Sequence, residues 1–292
     1  MHSPREELQA LLRALNLSTM AEAVEEFALR AAKENLTHEA FLLELARAER
    51  AAKNARRIER LLKQSELPPG KTFGALDLAT FGAANRTHIE RLRTGAFLKE
   101  AINIVAVGGP GVGKSHLAAA LGHALIEQAH PVLFTPTSAL VQRLLAAKRD
   151  LRLPQELAKL DRFECLIMDD IGYVQHDRDE MEVLFTLLAE RYERKSVVLT
   201  TNLVFSQWER IFKDPMTTLA AVDRVVHHSV VLDLMGLESY RAKQAGARAT
   251  SSASQRVTAE PRGEDAGNPR AEGAAAEAVS SRARRGVKGN VE

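Results

Sequence analysis

The 292-residue chain has one cysteine, Cys165. It can build no intramolecular disulfide framework, and such cysteine usage fits a reducing compartment. No apolar run approaches the roughly 20 residues needed to span a bilayer. The opening Met1-His2-Ser3-Pro4-Arg5-Glu6-Glu7 has no signal-peptide apolar stretch. A cytoplasmic protein with no membrane partner is therefore expected. Excess charge is also lacking: 40 Lys and Arg against 38 Asp and Glu leave a formal net charge of +2. Overall charge thus gives no ground for a nucleic-acid partner, and local clusters must decide. Glycine and proline are absent from residues 5–67, so that stretch reads as helices separated by caps alone. From Gln244 to Glu292 there is no Leu, Ile, Phe, Trp, Tyr or Met. Such a segment cannot offset its ordering entropy by burial and is expected to be disordered. Its arginines, among them Arg282, Arg284 and Arg285, could add loose DNA affinity; a tail without function fits equally well.

What is present begins with Gly108-Gly109-Pro110-Gly111-Val112-Gly113-Lys114-Ser115. It matches G-x-x-x-x-G-K-[ST], the P-loop pattern. The β-branched run Ile102–Val107 precedes it, and Ser115–Leu121 reads as a helix. Glycines let the backbone curl so that its N–H groups point at phosphate oxygens. The helix that follows aims its positive end at the same anion. Lys114 can reach the β- and γ-phosphates, and Ser115 can offer its hydroxyl to Mg²⁺. No Asn-Lys-x-Asp is present, which argues against a G protein.

Further on, Phe163-Glu164-Cys165-Leu166-Ile167-Met168-Asp169-Asp170 resembles a Walker B strand. A buried parallel strand would deliver Asp169 at its carboxyl end, where α/β sheets bind ligands. Asp169 could enter the Mg²⁺ shell, and Asp170 could polarise the attacking water as general base. Cys165 reads as a small buried apolar residue. The strand Ser196–Thr201 leads to Asn202, placed to orient water or touch the γ-phosphate; by itself a turn-forming Asn fits as well. Pro131–Thr135 and Val230–Leu232 complete the expected strands. Helices are expected over Ser138–Lys148 and around Met181, Leu184, Phe185, Leu188 and Tyr192. Asp223-Arg224 falls on a later helical segment.

The first 66 residues read as helices. Leu8, Leu11, Leu12 and Leu15 make one apolar stripe; Met20, Val24, Phe27 and Ala31 make another. Thr19 with Glu22 resembles a capping box, and Thr37 is placed to cap a third helix. That helix turns basic, with Arg47, Arg50, Lys53, Arg56, Arg57, Arg60 and Lys63 against Glu49 and Glu59. Arg50, Lys53, Arg57 and Arg60 share one face, which suits a phosphate backbone; a solvated surface is the plainer alternative. Leu67-Pro68-Pro69-Gly70 marks a boundary. Residues 71–100 are expected to pack on the nucleotide domain, some of them beside the adenine.

The wording of these motifs resembles the IstB-like family of transposition helper ATPases, AAA+ proteins related to DnaC-type helicase loaders. The resemblance rests on residues 109–118, 168–173, 200–203 with Trp208, 222–228 and 238–241. It implies an α/β AAA+ P-loop fold with a central parallel sheet flanked by helices. A small all-helical domain (1–66) would precede the ATPase domain (67–243), and a disordered tail (244–292) would follow. It implies that Gly109, Pro110, Gly111, Val112, Gly113, Lys114, Ser115 and His116 hold ATP, with Mg²⁺ on Ser115 and Asp169. Asn202 would be a sensor, Arg224 an arginine finger for a neighbouring subunit, and Arg241 a second sensor in its own subunit. The implied partners are double-stranded DNA, a transposase encoded by the same element, and further copies in a ring or helix. A replicative helicase loader is the alternative, and a DNA scaffold with negligible turnover a third. Two departures stand out: Asp170 occupies a place often held by Glu, which suggests slow hydrolysis. The stretch Gly236-Leu237-Glu238 is one residue longer than the family's usual wording, which bears on Arg241.

Overall fold

The computed structural model describes residues 3–172, 178–208 and 215–240. Helix α1 (Pro4–Ala14) starts at Ser3, whose hydroxyl accepts the Glu6 N–H while the Glu6 carboxylate accepts the Ser3 N–H. This capping box satisfies two donors that a helix start leaves open. Helix α2 (Ser18–Glu34) ends at Asn35 in the left-handed region, φ 54°. Helix α3 (His38–Gln64) is capped as expected by Thr37, which accepts the Ala40 N–H at 3.2 Å.

The expected box at Thr19 does not form. Helix α2 begins two residues earlier than that box would start it, and its N-cap Leu17 supplies no side-chain cap. The Met20 N–H donates instead to Glu49 of α3 at 2.9 Å. Glu49 is buried, 3% exposed. A carboxylate on the neighbouring helix thus answers the positive end of α2. Arg56 closes the joint by donating to Ser18 and Thr19 at 3.0 and 3.4 Å.

Five parallel strands follow: β1 (Asn103–Gly108), β2 (Val132–Pro136), β3 (Cys165–Asp169), β4 (Ser196–Thr201) and β5 (Ser229–Leu234). Their spatial order is β2-β3-β4-β1-β5. β1 and β4 are buried along their whole length, as β-branched, unalternating runs in a parallel sheet should be. The order reverses beside β1, so the crevice outside its carboxyl end is the place for a ligand.

Helices cover both faces. α5 (Lys114–Glu127) and α4 (Gly82–Arg93) lie on one side; α6 (Thr137–Arg149), α8 (Arg178–Arg191) and α9 (Pro215–Val226) lie on the other. α5 is apolar nearly all round because it is buried nearly all round. A short helix, α7 (Leu153–Leu160), escaped the sequence reading. Its Pro154 reads as a breaker but sits in the first turn, where the missing N–H costs nothing.

A strap joins α3 to this core. Ser65 O accepts the Phe134 N–H at 2.7 Å. Leu67 lies so close to α5 that a Cβ at Gly122 would stand 2.7 Å from its Cδ2. His123 and His116 of α5 donate to Pro68 O and Thr72 O at 3.2 and 3.1 Å. Arg241 and the segment 244–292 lie outside the described residues.

Candidate functional site

The loop after β1 is built for an anion. Gly108 is pressed against Leu234 of β5, where a Cβ would meet the Leu234 Cβ at 2.9 Å. Gly111 and Gly113 take φ of 81° and 99°, conformations that side chains rarely adopt. α5 starts at Lys114 with no side-chain cap. Its first N–H groups are therefore left for a ligand. Lys114 Nζ donates to Gly108 O and Gly109 O at 2.7 and 2.8 Å, which holds the ammonium across the loop. An uncapped helix start, a coiled glycine backbone and a positioned ammonium fit a nucleotide phosphate chain.

A cavity of about 220 Å³ opens beside the loop. Gly111 to His116 line it together with Leu76, Asp77, Thr80, Phe81 and Tyr240. Segment 71–100 thus reaches the site, as expected. Tyr240 was missed: its N–H donates to Gly111 O at 3.1 Å. It ties the end of the described chain to the loop.

β3 carries its two carboxylates to the same end of the sheet. Thr200, 1% exposed in the neighbouring β4, donates to Asp169 Oδ1 and accepts the Asp170 N–H at 2.8 Å. Thr137 donates to Asp169 O at 3.0 Å. Asp170 stands in the left-handed region, φ 61°. Partial desolvation of its carboxyl and the Asp169 charge push its pKa up, and the Lys114 ammonium pulls it back. The Asp170 carboxyl is thus near enough to Lys114 to feel its charge. Ser115 and Asp169 supply the hard oxygen donors that Mg²⁺ favours.

Asn202 directly follows β4, whose Thr201 pairs with Val107 of β1. Its Oδ1 is buried and has no hydrogen-bond partner among the described residues. Gly172 allows this: a Cβ there would stand 2.5 Å from that oxygen. Sequence reasoning missed Thr200 and Gly172. The signal available for Thr200 was a hydroxyl directly after the apolar run Val197 to Leu199; for Gly172 it was only its place in the stretch 168–173.

Arg224 stands elsewhere. Asn103, the first residue of β1, donates to Arg224 O and Val225 O at 3.4 and 3.3 Å. The arginine backbone is thus at the amino end of β1, while the P-loop leaves its carboxyl end. Six residues of strand separate the two, roughly 17 Å at about 3.3 Å per residue. The guanidinium lies 4.4 Å from the ring centre of Phe185, and its Nη1 is buried without a hydrogen-bond partner among the described residues.

On α3, Arg50, Lys53, Arg57 and Arg60 are all exposed. Lys53 is 3.7 Å from Glu49. Arg50, Arg57 and Arg60 have no ion pair among the described residues.

A parallel sheet in this order, with a P-loop at its switch point and paired carboxylates on β3, defines an AAA+ nucleotide-binding protein. Solved structures agree on the fold. AMPPCP-bound DnaA from Aquifex aeolicus superposes with a TM-score of 0.51 at 13% identity, over 64% of this chain and 57% of that one. The family of IstB-like ATP binding proteins matches residues 10–248, and the chain belongs to that family. An insertion sequence ATP-binding protein of Sinorhizobium fredii is 44% identical over 239 residues, 82% of this chain and 80% of the relative. An insertion sequence IS21 ATP-binding protein of Pseudomonas aeruginosa is 37% identical over 82% of this chain and 89% of its own.

Proposed function

We propose that this protein is a DNA-bound, ATP-hydrolysing regulator of transposition that assembles on target DNA and recruits the transposase of its own element. The observation that carries this reading is the separation of Arg224 from the P-loop. One chain presents the phosphate cradle and both carboxylates at one end of the sheet. The Arg224 backbone lies at the other end, roughly 17 Å away along β1, with its guanidinium against Phe185 of α8. A neighbour that brings its arginine to this cradle completes the site.

In this reading Gly109 to Ser115, with His116, hold the triphosphate, and Lys114 neutralises its outer oxygens. Mg²⁺ on Ser115 and Asp169 supplies further charge neutralisation. Asp170 accepts the proton of the attacking water. Asn202 orients that water through its unpaired oxygen. Arg224 stabilises the charge that develops on a neighbour's γ-phosphate. Arg241 directly follows Tyr240, which touches the loop, and would act within its own subunit. An Asp in place of Glu sets the carboxylate back by a methylene, so turnover is slow. The helical segment 1–66 is the DNA-binding and assembly part, with Arg50, Lys53, Arg57 and Arg60 on the phosphate backbone.

Mixing two inactive variants tests this. Lys114→Ala keeps the arginine and loses the cradle; Arg224→Ala keeps the cradle and loses the arginine. Each alone hydrolyses no ATP. Equal amounts together on duplex DNA recover about a quarter of the native rate, because half of the cradles are intact and half of their neighbours supply the arginine. A mixture as inactive as its parts would return Arg224 to its own subunit's site or core.

A further inference from the structure

Three side chains outside the nucleotide site converge at the amino-terminal edge of the sheet. Glu193 lies in the turn between α8 and β4, and His227 and His228 form the turn between α9 and β5. One ligand-capable atom from each lies within 4.8 Å of the other two. His228 Nε2 and Glu193 Oε1 are 3.9 Å apart, and the two imidazoles meet edge to face with centroids 5.3 Å apart. We propose that His227, His228 and Glu193 form a binding site for Zn²⁺ or a similar borderline divalent cation, with one position left to water.

The donor set argues for this class of ion. Two imidazoles and a carboxylate suit zinc, whereas Mg²⁺ and Ca²⁺ prefer oxygen alone. Bonds of about 2.0–2.1 Å place the ligand atoms of a tetrahedral ion about 3.4 Å apart. Small rotations of three exposed side chains close the present gaps. Neither imidazole has a competing side-chain hydrogen bond among the described residues.

The backbone that carries the ligands is fixed. His228 O accepts the Asn103 N–H at 2.7 Å, and the His227 N–H donates to Asp223 O at 2.9 Å. Ser229 Oγ donates to Val226 O at 2.9 Å. Near Glu193, the buried Arg191 donates to the carbonyls of Leu160, Phe163, Glu164 and Ser196. The cations beside Glu193 in sequence are engaged elsewhere: Arg194 pairs with Asp161 and Glu190, and Lys195 with Asp161. Arg224 is turned onto Phe185. The local field therefore does not exclude a divalent ion.

A bound ion would tie the α8–β4 turn to the α9–β5 turn. Phe185 rides on α8 and Arg224 on α9. The ion would therefore fix the relative position of these two helices from the end of the sheet remote from the P-loop.

The test uses the full chain, purified without a histidine tag, stripped of metal and kept in excess Mg²⁺. Co²⁺ is titrated in while its visible d–d absorption is read, and Zn²⁺ is then added as competitor. One equivalent should saturate in the low micromolar range and be displaced by Zn²⁺. His227→Ala, His228→Ala and Glu193→Gln should each weaken binding about tenfold or more. His130→Ala, which removes an imidazole paired with Glu164, should leave it unchanged. Zn²⁺ should also protect His227 and His228 of the unsubstituted protein from diethylpyrocarbonate, a readout that needs no variant. Absence of saturable absorption, equal binding in the three ligand variants, or unprotected histidines would each overturn the site.

Discussion

Thr200 is 1% exposed near the end of a strand whose middle, Val197 to Leu199, packs in the core, yet its hydroxyl serves both acidic residues. Valine fills the same space without the hydroxyl. Thr200→Val should leave the Asp170 N–H unsatisfied and cost about 1–3 kcal/mol in urea unfolding. Hydrolysis should fall at least about tenfold, while a fluorescent ATP analogue binds nearly as before. Thr200→Ser should restore both; failure of serine to do so would mean that the methyl, not the hydroxyl, matters. Asp170 offers a second test. Its pKa is raised in the folded chain, so its charge burdens the fold. The stabilising contribution of its protonation is complete below the unfolded pKa and is lost as pH rises through the folded one. Asp170→Asn should therefore raise the melting temperature at pH 7 relative to its effect at acid pH, while abolishing hydrolysis. Asparagine also tolerates positive φ, but that gain does not vary with pH. A pH-independent difference would attribute the whole effect to backbone conformation.

At the scale of elements, seven basic residues on α3 divide into two kinds. Arg56 bonds Ser18, Thr19 and Glu49 and holds α2 to α3. Arg50, Arg57 and Arg60 point no charge at any carboxylate among the described residues. Reversal of these three to Glu should weaken duplex binding and flatten the salt dependence by about one unit of slope per lost phosphate contact. Arg56→Ala should instead cost about 1 kcal/mol of stability and spare the slope. An equal slope change in both variants would remove the distinction. The sequence showed the basic face through its spacing of three and four, but not which cation was already spent. That depends on Glu49 and α2 meeting across 29 residues. The same limit runs through the candidate site. Gly108–Ser115 and Asp169-Asp170 were legible because each works as a contiguous word. Thr200, Gly172 and Tyr240 were not, because their value depends on β4 lying between β3 and β1 and on residue 240 returning to residue 111. Strand order is set by long-range pairing and leaves no local signature. Caps behave likewise: Ser3 and Thr37 act on their own helices, whereas α2 is capped from another.

At the scale of the molecule, a single chain shows a site at one end of the sheet and the backbone of its proposed completing arginine at the other. The Arg224 Nη1 is buried without a hydrogen-bond partner among the described residues, and an unsatisfied charged donor is costly. Stacking on Phe185 offsets part of that cost. A neighbour's γ-phosphate would offer what Phe185 lacks, an anionic acceptor. ATP has that group and ADP does not, so assembly should follow the nucleotide. Light-scattering mass on duplex DNA should be several subunits larger with a non-hydrolysable ATP analogue than with ADP. Lys114→Ala should erase the difference by removing the cradle. Arg224→Ala should shrink it and still bind nucleotide. Phe185→Leu keeps an apolar side chain but gives up the ring, so it should release the guanidinium and let assembly begin at lower protein concentration. The same mass with either nucleotide would uncouple Arg224 from the phosphate, and a Phe185→Leu protein that assembles only at higher concentration would make the ring a guide for the arginine instead of its resting place.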